Sequence, residues 1–262
     1  MPYNRLSTTK IARQAGCHPN TVRFYEQQGF IPPVRRNPKN NYRIYNPGHV
    51  DHMQLAVTAF KSPFPGWRLR RSLTQLVKHA ATRDLGGALE IAYHHLTLVQ
   101  SEITSADRAA DFLENWAKGL TIDSAVKPLQ TTQTAKLLGV TVDALRTWER
   151  NGLLEVPRNI NNRYRQYGPA EIGRLRVIRM LRNAGYSINA IHRMFIKLDQ
   201  GQHDDLKKTL DTPEADEDIF YATDSWLSTL TEQENRANWL INMLQKMILS
   251  SKNDPDYYQD QI

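Results

Sequence analysis

The sequence predicts a mainly α-helical protein made of two winged helix-turn-helix domains, each followed by a long helix. Three observations carry that prediction. Charge comes in blocks: residues 1–80 hold 13 Lys and Arg against 2 Asp and Glu, 81–128 hold 4 against 7, 129–197 hold 12 against 4, and 198–262 hold 5 against 14. Landmarks of the first half recur in the second at an offset of 123 and then 122, so the chain is a tandem pair rather than a solenoid. Two stretches, starting at Leu85 and Trp226, space their apolar residues alternately by four and three, the second with one polar member, Gln233, the seam of a coiled coil.

Bulk properties narrow the function classes. A chain of 262 residues with 40% hydrophobic and 23% charged residues folds as one or two domains. The single cysteine, Cys17, excludes an intrachain disulfide framework and any all-cysteine zinc site. No run reaches the roughly 18 apolar residues of a membrane span, and the N-terminal stretch lacks the apolar core of a signal peptide, so a cytoplasmic protein without a membrane partner is expected. The net charge of +7 permits nucleic acid, anionic membrane or acidic-protein partners. Its layout favours two basic modules that follow a polyanion, with acidic modules held away from it.

Each element has a local cause. In copy one, Thr8 is the expected cap of a first helix ending at Gly16. His18 then occupies a cap position with Pro19 at the first helical residue, and that helix stops at Gly29, which suits a left-handed terminus. Copy two repeats the pattern with Thr141 as cap and Gly152 as stop. Val34-Arg35-Arg36 and Tyr42-Arg43-Ile44 pair as a wing around Asn37-Pro38-Lys39-Asn40-Asn41; Val156-Pro157-Arg158 and Tyr164-Arg165-Gln166 do so around Asn159-Ile160-Asn161-Asn162. In the alignment Arg35 meets Arg158, and Leu69 and Arg71 meet Ile191 and Arg193. Asn46-Pro47 and Gly168-Pro169 each restart a helix, the second ending at Gly185. The seams run Leu85, Leu89, Ala92, Leu96, Val99, Ile103, Ala106, Ala110, Leu113, Ala117 and Leu120, and Trp226, Leu230, Gln233, Ala237, Leu240, Leu244 and Met247. The expected boundaries are 1–80 for the first winged domain, 81–128 for the first long helix and linker, 129–198 for the second winged domain, 199–223 for an acidic linker, and 224–262 for the second long helix and tail.

The string Arg23-Phe24-Tyr25-Glu26, then Gly29-Phe30-Ile31 and Asn41-Tyr42-Arg43-Ile44-Tyr45, resembles the MerR family of bacterial transcription regulators. Leu145-Arg146-Thr147-Trp148-Glu149-Arg150-Asn151-Gly152-Leu153-Leu154 with Tyr164-Arg165-Gln166-Tyr167 resembles it equally. The likeness covers roughly 5–75 and 129–197. It implies winged helix-turn-helix domains and a dimerisation helix, in a family whose members usually carry one copy per chain. With two copies here, the resemblance implies that the two long helices form an antiparallel coiled coil, so that one polypeptide mimics the family's dimer and is monomeric. The runner-up is a homodimer with four DNA-binding units.

The second helix of a helix-turn-helix enters the major groove with its N-terminal end toward the bases. That nominates Asn20, Thr21 and Phe24 in copy one, and Asp143, Ala144 and Thr147 in copy two; Phe24 and Ala144 have packing as their alternative. Because these positions differ, two base-reading copies would not read identical half-sites. Arg23 and Arg146 are expected on phosphate, with an ion pair to Glu26 or Glu149, three residues on, as the alternative. Arg43 and Arg165 are the phosphate or minor-groove candidates of the wings. Tyr42 and Tyr164 contact backbone or pack, Arg35 and Arg158 fold back or reach phosphate, and Tyr45 and Tyr167 belong to the core. The resemblance also implies a sugar-phosphate contact for Tyr25, with Trp148 in its place in copy two, where only an indole N–H can donate.

Nothing else rises to a site. His49 with His52 and His94 with His95 lack partners at metal-ligand spacing, Cys17 fits a helix-turn-helix turn, and no phosphate loop, nucleophile elbow or catalytic carboxylate pair is present. No metal, no cofactor and no enzymatic activity are expected. The acidic stretch Asp199 to Asp224 reads as a solvated loop, and any small-molecule site would lie there or between helices. The expectation is a sequence-specific regulator that binds a pseudo-palindromic promoter site on double-stranded DNA as a single-chain pseudo-dimer. It would distort that DNA and act on RNA polymerase indirectly through the promoter. The alternative is an architectural or segregation protein that anchors DNA with the same modules.

Overall fold

The computed structural model describes residues 6–61, 66–119, 128–213, 224–253 and Tyr257. Leu120 of the first seam, the linker residues after it, the acidic residues 214–223 and most of the tail lie outside the described residues. In chain order the elements are α1 (Thr8–Gln14), α2 (Pro19–Gln27), β1 (Arg35–Arg36), β2 (Arg43–Ile44), α3 (Pro47–Ala59), α4 (Gly66–Ala81), α5 (Leu85–Ala117), α6 (Thr131–Leu138), α7 (Val142–Arg150), α8 (Pro169–Asn183), α9 (Ile188–Asp199), α10 (Leu206–Asp211) and α11 (Trp226–Asn253). The chain divides into two compact units, residues 1–100 with 232–262, and residues 101–231.

In the first unit, α1 and α2 form the helix-turn-helix. The cap of α1 is Ser7 rather than Thr8: Ser7 is extended and its hydroxyl accepts from the Lys10 N–H at 3.3 Å, whereas Thr8 is already the first helical residue. His18 caps α2 as expected, its Nδ1 accepting from the Asn20 N–H at 3.2 Å, with Pro19 at the first position. The turn at Gly16 and the stop at Gly29 adopt φ +66° and +68°, a region that favours glycine. In the wing, Arg35 pairs with Ile44 and Arg36 with Arg43, and an isolated bridge from Leu6 to Tyr45 adds a third edge. Ile11, Ala12, Val22, Ile31, Tyr45 and Met53 form the module's core.

A second cluster joins α3 and α4 to the first turns of α5 and the last turns of α11, through Leu55, Leu73, Leu76, Leu85, Ala92, Leu240, Leu244 and Met247. Gln100 donates to Glu234 at 3.0 Å and Gln245 to the Tyr93 hydroxyl at 3.1 Å. One partner number rises as the other falls, so α5 and α11 run in opposite directions over this stretch. Every seam position of α11 is buried, as are Leu85, Ala92, Val99, Ala106, Ala110 and Leu113 of α5.

The second unit repeats the first with informative departures. Thr141 caps α7, accepting from the Ala144 N–H at 3.0 Å, and Gly139 and Gly152 take φ +62° and +72°. Its wing is thinner: Arg158 and Arg165 form only an isolated bridge, because Pro157 has no N–H to extend a ladder. That bridge also corrects the alignment. Arg158 pairs with Arg165 as Arg36 pairs with Arg43, so its counterpart is Arg36, not Arg35. The Leu129–Tyr167 bridge mirrors Leu6–Tyr45.

The solvated loop expected from Asp199 holds over residues 200–205, which are exposed and outside any helix, but gives way to α10 at Leu206–Asp211. Leu206 and Leu210 are fully buried there. Arg193, aligned with the exposed Arg71, is turned inward to donate to the carbonyls of Thr209 at 2.8 Å, Leu210 at 3.3 Å and Asp224 at 3.1 Å. A guanidinium that saturates three buried carbonyls is satisfied, which accounts for a short helix surviving in an acidic segment.

Candidate nucleic-acid interface

The two modules build their outward faces by the same local rules but from partly different residues. In the first, α2 exposes Asn20, Arg23 and Phe24, with Thr21 half-buried. Phe24 is 53% exposed, so the packing alternative does not describe it. In the second, α7 exposes Asp143 and Arg146, with Ala144 and Thr147 half-buried. Arg23 Nη1 donates to Asn20 Oδ1 at 3.1 Å, and Arg146 Nη1 lies 3.7 Å from Asp143 Oδ1. The pairs anticipated for these arginines, with Glu26 and Glu149, are made instead by the wings. Arg43 Nε donates to Glu26 Oε2 at 2.5 Å, and Arg165 Nε to Glu149 Oε2 at 2.7 Å. The bond to Glu149 raises the pKa of Arg165 above its ordinary value. Both pairs are part-buried. Each therefore straps a wing strand to its recognition helix while leaving guanidinium surface outward.

The wing turns match atom for atom. Asn37 N–H donates to the Tyr42 carbonyl and Asn159 N–H to the Tyr164 carbonyl, each at 2.8 Å. The Asn40 amide oxygen accepts from Tyr42 N–H at 3.1 Å, and that of Asn162 from Tyr164 N–H at 3.0 Å. Asn side chains stabilise such turns by bonding the backbone two residues on. The turns leave Tyr42 and Tyr164 73% and 63% exposed, so neither ring packs on its helix. Arg35 and Arg158 are exposed at the wing base. In the second module a concavity of about 390 Å³ lies between helix and wing, lined by Asp143, Arg146, Glu149, Arg150 and Arg165.

Two expected contacts sit deeper. Tyr25 is half-buried, its ring 5.6 Å from Phe30 and 5.8 Å from Phe60, and burial pushes its hydroxyl pKa up. Trp148 is only 7% exposed and belongs to the second module's core. Tyr45 and Tyr167 are core residues, as read from sequence. His49 closes the cap of α3 with Asn46, and burial lowers His52 to about 3 and His95 to about 4. Burial also raises the Cys17 thiol, which disfavours the reactive thiolate.

Sequence reasoning missed Arg150 and Ile160, and it gave Glu26 and Glu149 other partners, because the arginines they pair with lie 17 and 16 residues away. Arg150 donates to the Thr147 hydroxyl at 3.1 Å, a spacing of three on a helix that the sequence does display. Ile160 stands at the tip of the second wing, 93% exposed; an apolar residue inside an Asn-rich turn was its signal.

The pattern described as "MerR HTH family regulatory protein" matches residues 6–65 and 129–197. Among curated proteins, an HTH-type transcriptional regulator ZntR homolog of Haemophilus influenzae is 44% identical over 45 residues, 17% of this chain and 33% of its own length. A mercuric resistance operon regulatory protein of Serratia marcescens is 35% identical over 69 residues, 26% of this chain and 47% of its own. A probable heavy metal-dependent transcriptional regulator of Haemophilus influenzae is 32% identical over 66 residues, 25% of this chain and 52% of its own. The chain thus spans about a third to about a half of the length of these relatives. No solved structure matches it.

Proposed function

The chain belongs to the MerR family, with one helix-turn-helix domain of that family in each half, and from this premise we propose that it regulates transcription by gripping one promoter site with both domains of a single polypeptide. The observation that carries the reading is the repeated strap, Arg43 to Glu26 and Arg165 to Glu149. It fixes a wing against a recognition helix in each module. A helix and a wing held at one spacing can engage a major groove and its flanking phosphates together. The fixed presentation also spares part of the ordering cost of binding.

Two further features fit. Opposed packing of α5 on α11 is what an intramolecular pseudo-dimer requires. The charge blocks put basic surface on the two modules and acidic residues elsewhere, as steering toward a polyanion demands. Distorting the promoter between the elements that RNA polymerase reads costs several kcal/mol, which two sets of backbone contacts offset.

The test is footprinting with in vitro transcription on the DNA upstream of the protein's own gene. One protected pseudo-palindrome with altered transcript yield is expected. Scattered, cooperative coating without effect on transcription would replace this reading with an architectural one. Light scattering at low micromolar concentration should give a mass near 30.2 kDa, and a persistent dimer would overturn the single-chain arrangement.

A further inference from the structure

We propose that the operator is directional: the two modules read different half-sites, so the protein seats on its DNA in one orientation only. This rests on the two-handed reading above.

The modules keep apolar residues at several matched core places and share the brace between wing and helix. Val22 and Leu145, Ile31 and Leu154, and Tyr45 and Tyr167 are buried at matched places. The strap and the wing turns repeat, and each recognition helix has a side-chain cap, His18 in one and Thr141 in the other. The outward face of the recognition helix differs between the copies. Asn20 becomes Asp143, Phe24 becomes Thr147 and Gln27 becomes Arg150, while Arg23 persists as Arg146.

The replacements change what a base edge would meet. The Asn20 amide both donates and accepts, whereas the Asp143 carboxylate only accepts. In the major groove only cytosine N4 and adenine N6 offer donors; guanine and thymine present acceptors that a carboxylate repels. Asp143 therefore selects a cytosine or adenine and rejects guanine and thymine at its position. Phe24 offers an exposed apolar ring suited to a thymine methyl. Thr147 offers no comparable ring, and its hydroxyl instead holds Arg150. The shared Arg23 and Arg146 are tied to these same unlike neighbours, Asn20 and Asp143, so even the common arginine is presented differently. A homodimer of one module could not separate its two faces in this way.

The experiment uses the full chain and three duplexes derived from the footprinted operator: the native site, the first half-site repeated as an inverted palindrome, and the second half-site so repeated. The native site should bind at least about tenfold more tightly than either palindrome, since each mismatched pair costs on the order of a factor of ten. The Asn20→Asp, Phe24→Thr, Gln27→Arg triple variant gives the first module the outward residues of the second and should then prefer the second palindrome. All three residues are exposed, and circular dichroism melting checks that the variant folds. Equal affinity for all three duplexes overturns directionality while leaving DNA binding intact. Absence of specific binding to any of them overturns the regulatory reading itself.

Discussion

The strap between wing and recognition helix makes a quantitative prediction for Arg165. Its Nε bond to Glu149 spans 2.7 Å, with the side chains 28% and 20% exposed. A charge-assisted bond in that setting contributes on the order of 1–2 kcal/mol, above a fully exposed pair and below a desolvated one. Arg165→Ala removes this bond, removes a cation facing DNA, and bares the Glu149 carboxylate beside phosphates. The sum predicts operator binding weaker by about ten- to thirtyfold near physiological salt. The slope of log affinity against log salt should shrink by about one, the signature of one phosphate contact. Sequence preference should not change.

The companion variants separate brace from grip. Glu149→Gln keeps the cation and loosens only the strap, so it should cost severalfold in affinity with the slope intact. The Arg165→Ala, Glu149→Gln pair should recover part of the loss of Arg165→Ala, because the orphaned carboxylate is gone. Fluorescence anisotropy titrations from low to moderate salt measure all three. Arg165→Ala with unchanged affinity and slope, beside a crippled Arg43→Ala, would refute two-handed binding and leave the second module a scaffold. Equal losses for Arg165→Ala and Glu149→Gln with no slope change would show that Arg165 braces without touching DNA.

Two further outcomes concern stability. His95 is 1% exposed and held down to about 4, so the unfolded chain binds a proton that the folded chain refuses. Its share of stability is present above the unfolded value near 6.5 and is lost as pH falls toward 4, by on the order of 3 kcal/mol; His95→Leu should flatten that part of the urea-midpoint profile, and an unchanged profile would sink the assignment. Arg193→Met would strand the carbonyls of Thr209, Leu210 and Asp224 and should cost on the order of 3 kcal/mol; a thermal melt within a degree of wild type would show that α10 is held by Leu206 and Leu210 alone.

What the sequence displays is what short-range rules encode. His18 before Pro19, Thr141 before Val142 and the Asn-rich wing turns are local signals, and the structure realises each of them. The four-three spacing of α11 holds at every seam position because burial and helical period reinforce one another. The failures are those of range or of one-residue degeneracy. Ser7 and Thr8 are both good caps, and only the backbone decides which hydroxyl reaches the Lys10 N–H. Glu26 pairs across a turn and a strand, which no helical spacing rule sees. In α10 the Leu206–Leu210 pair is outweighed by surrounding carboxylates, and its support comes from Arg193, whose aligned partner Arg71 is solvent-exposed. Pro157 is plain in the sequence, and its missing N–H shortens that wing.

Covalent linkage supplies the reason a duplicated regulator would drift toward unlike halves. In a homodimer one gene sets both recognition faces, so any substitution is made twice and the operator stays symmetric. Joining the copies removes that constraint and replaces dimerisation with an intramolecular encounter at high effective concentration. Positions that maintain the scaffold remain under identical demands in both copies. That fits the repetition of the straps, the wing turns and the Tyr45 and Tyr167 core residues. Positions facing the groove answer only to their own half-site, which fits Asn20 against Asp143 and Phe24 against Thr147. A shared brace beside unlike groove-facing residues is what two working hands would leave. A second module kept only as scaffold would face no demand to retain an exposed Arg146, an outward Tyr164 and a strapped Arg165 together.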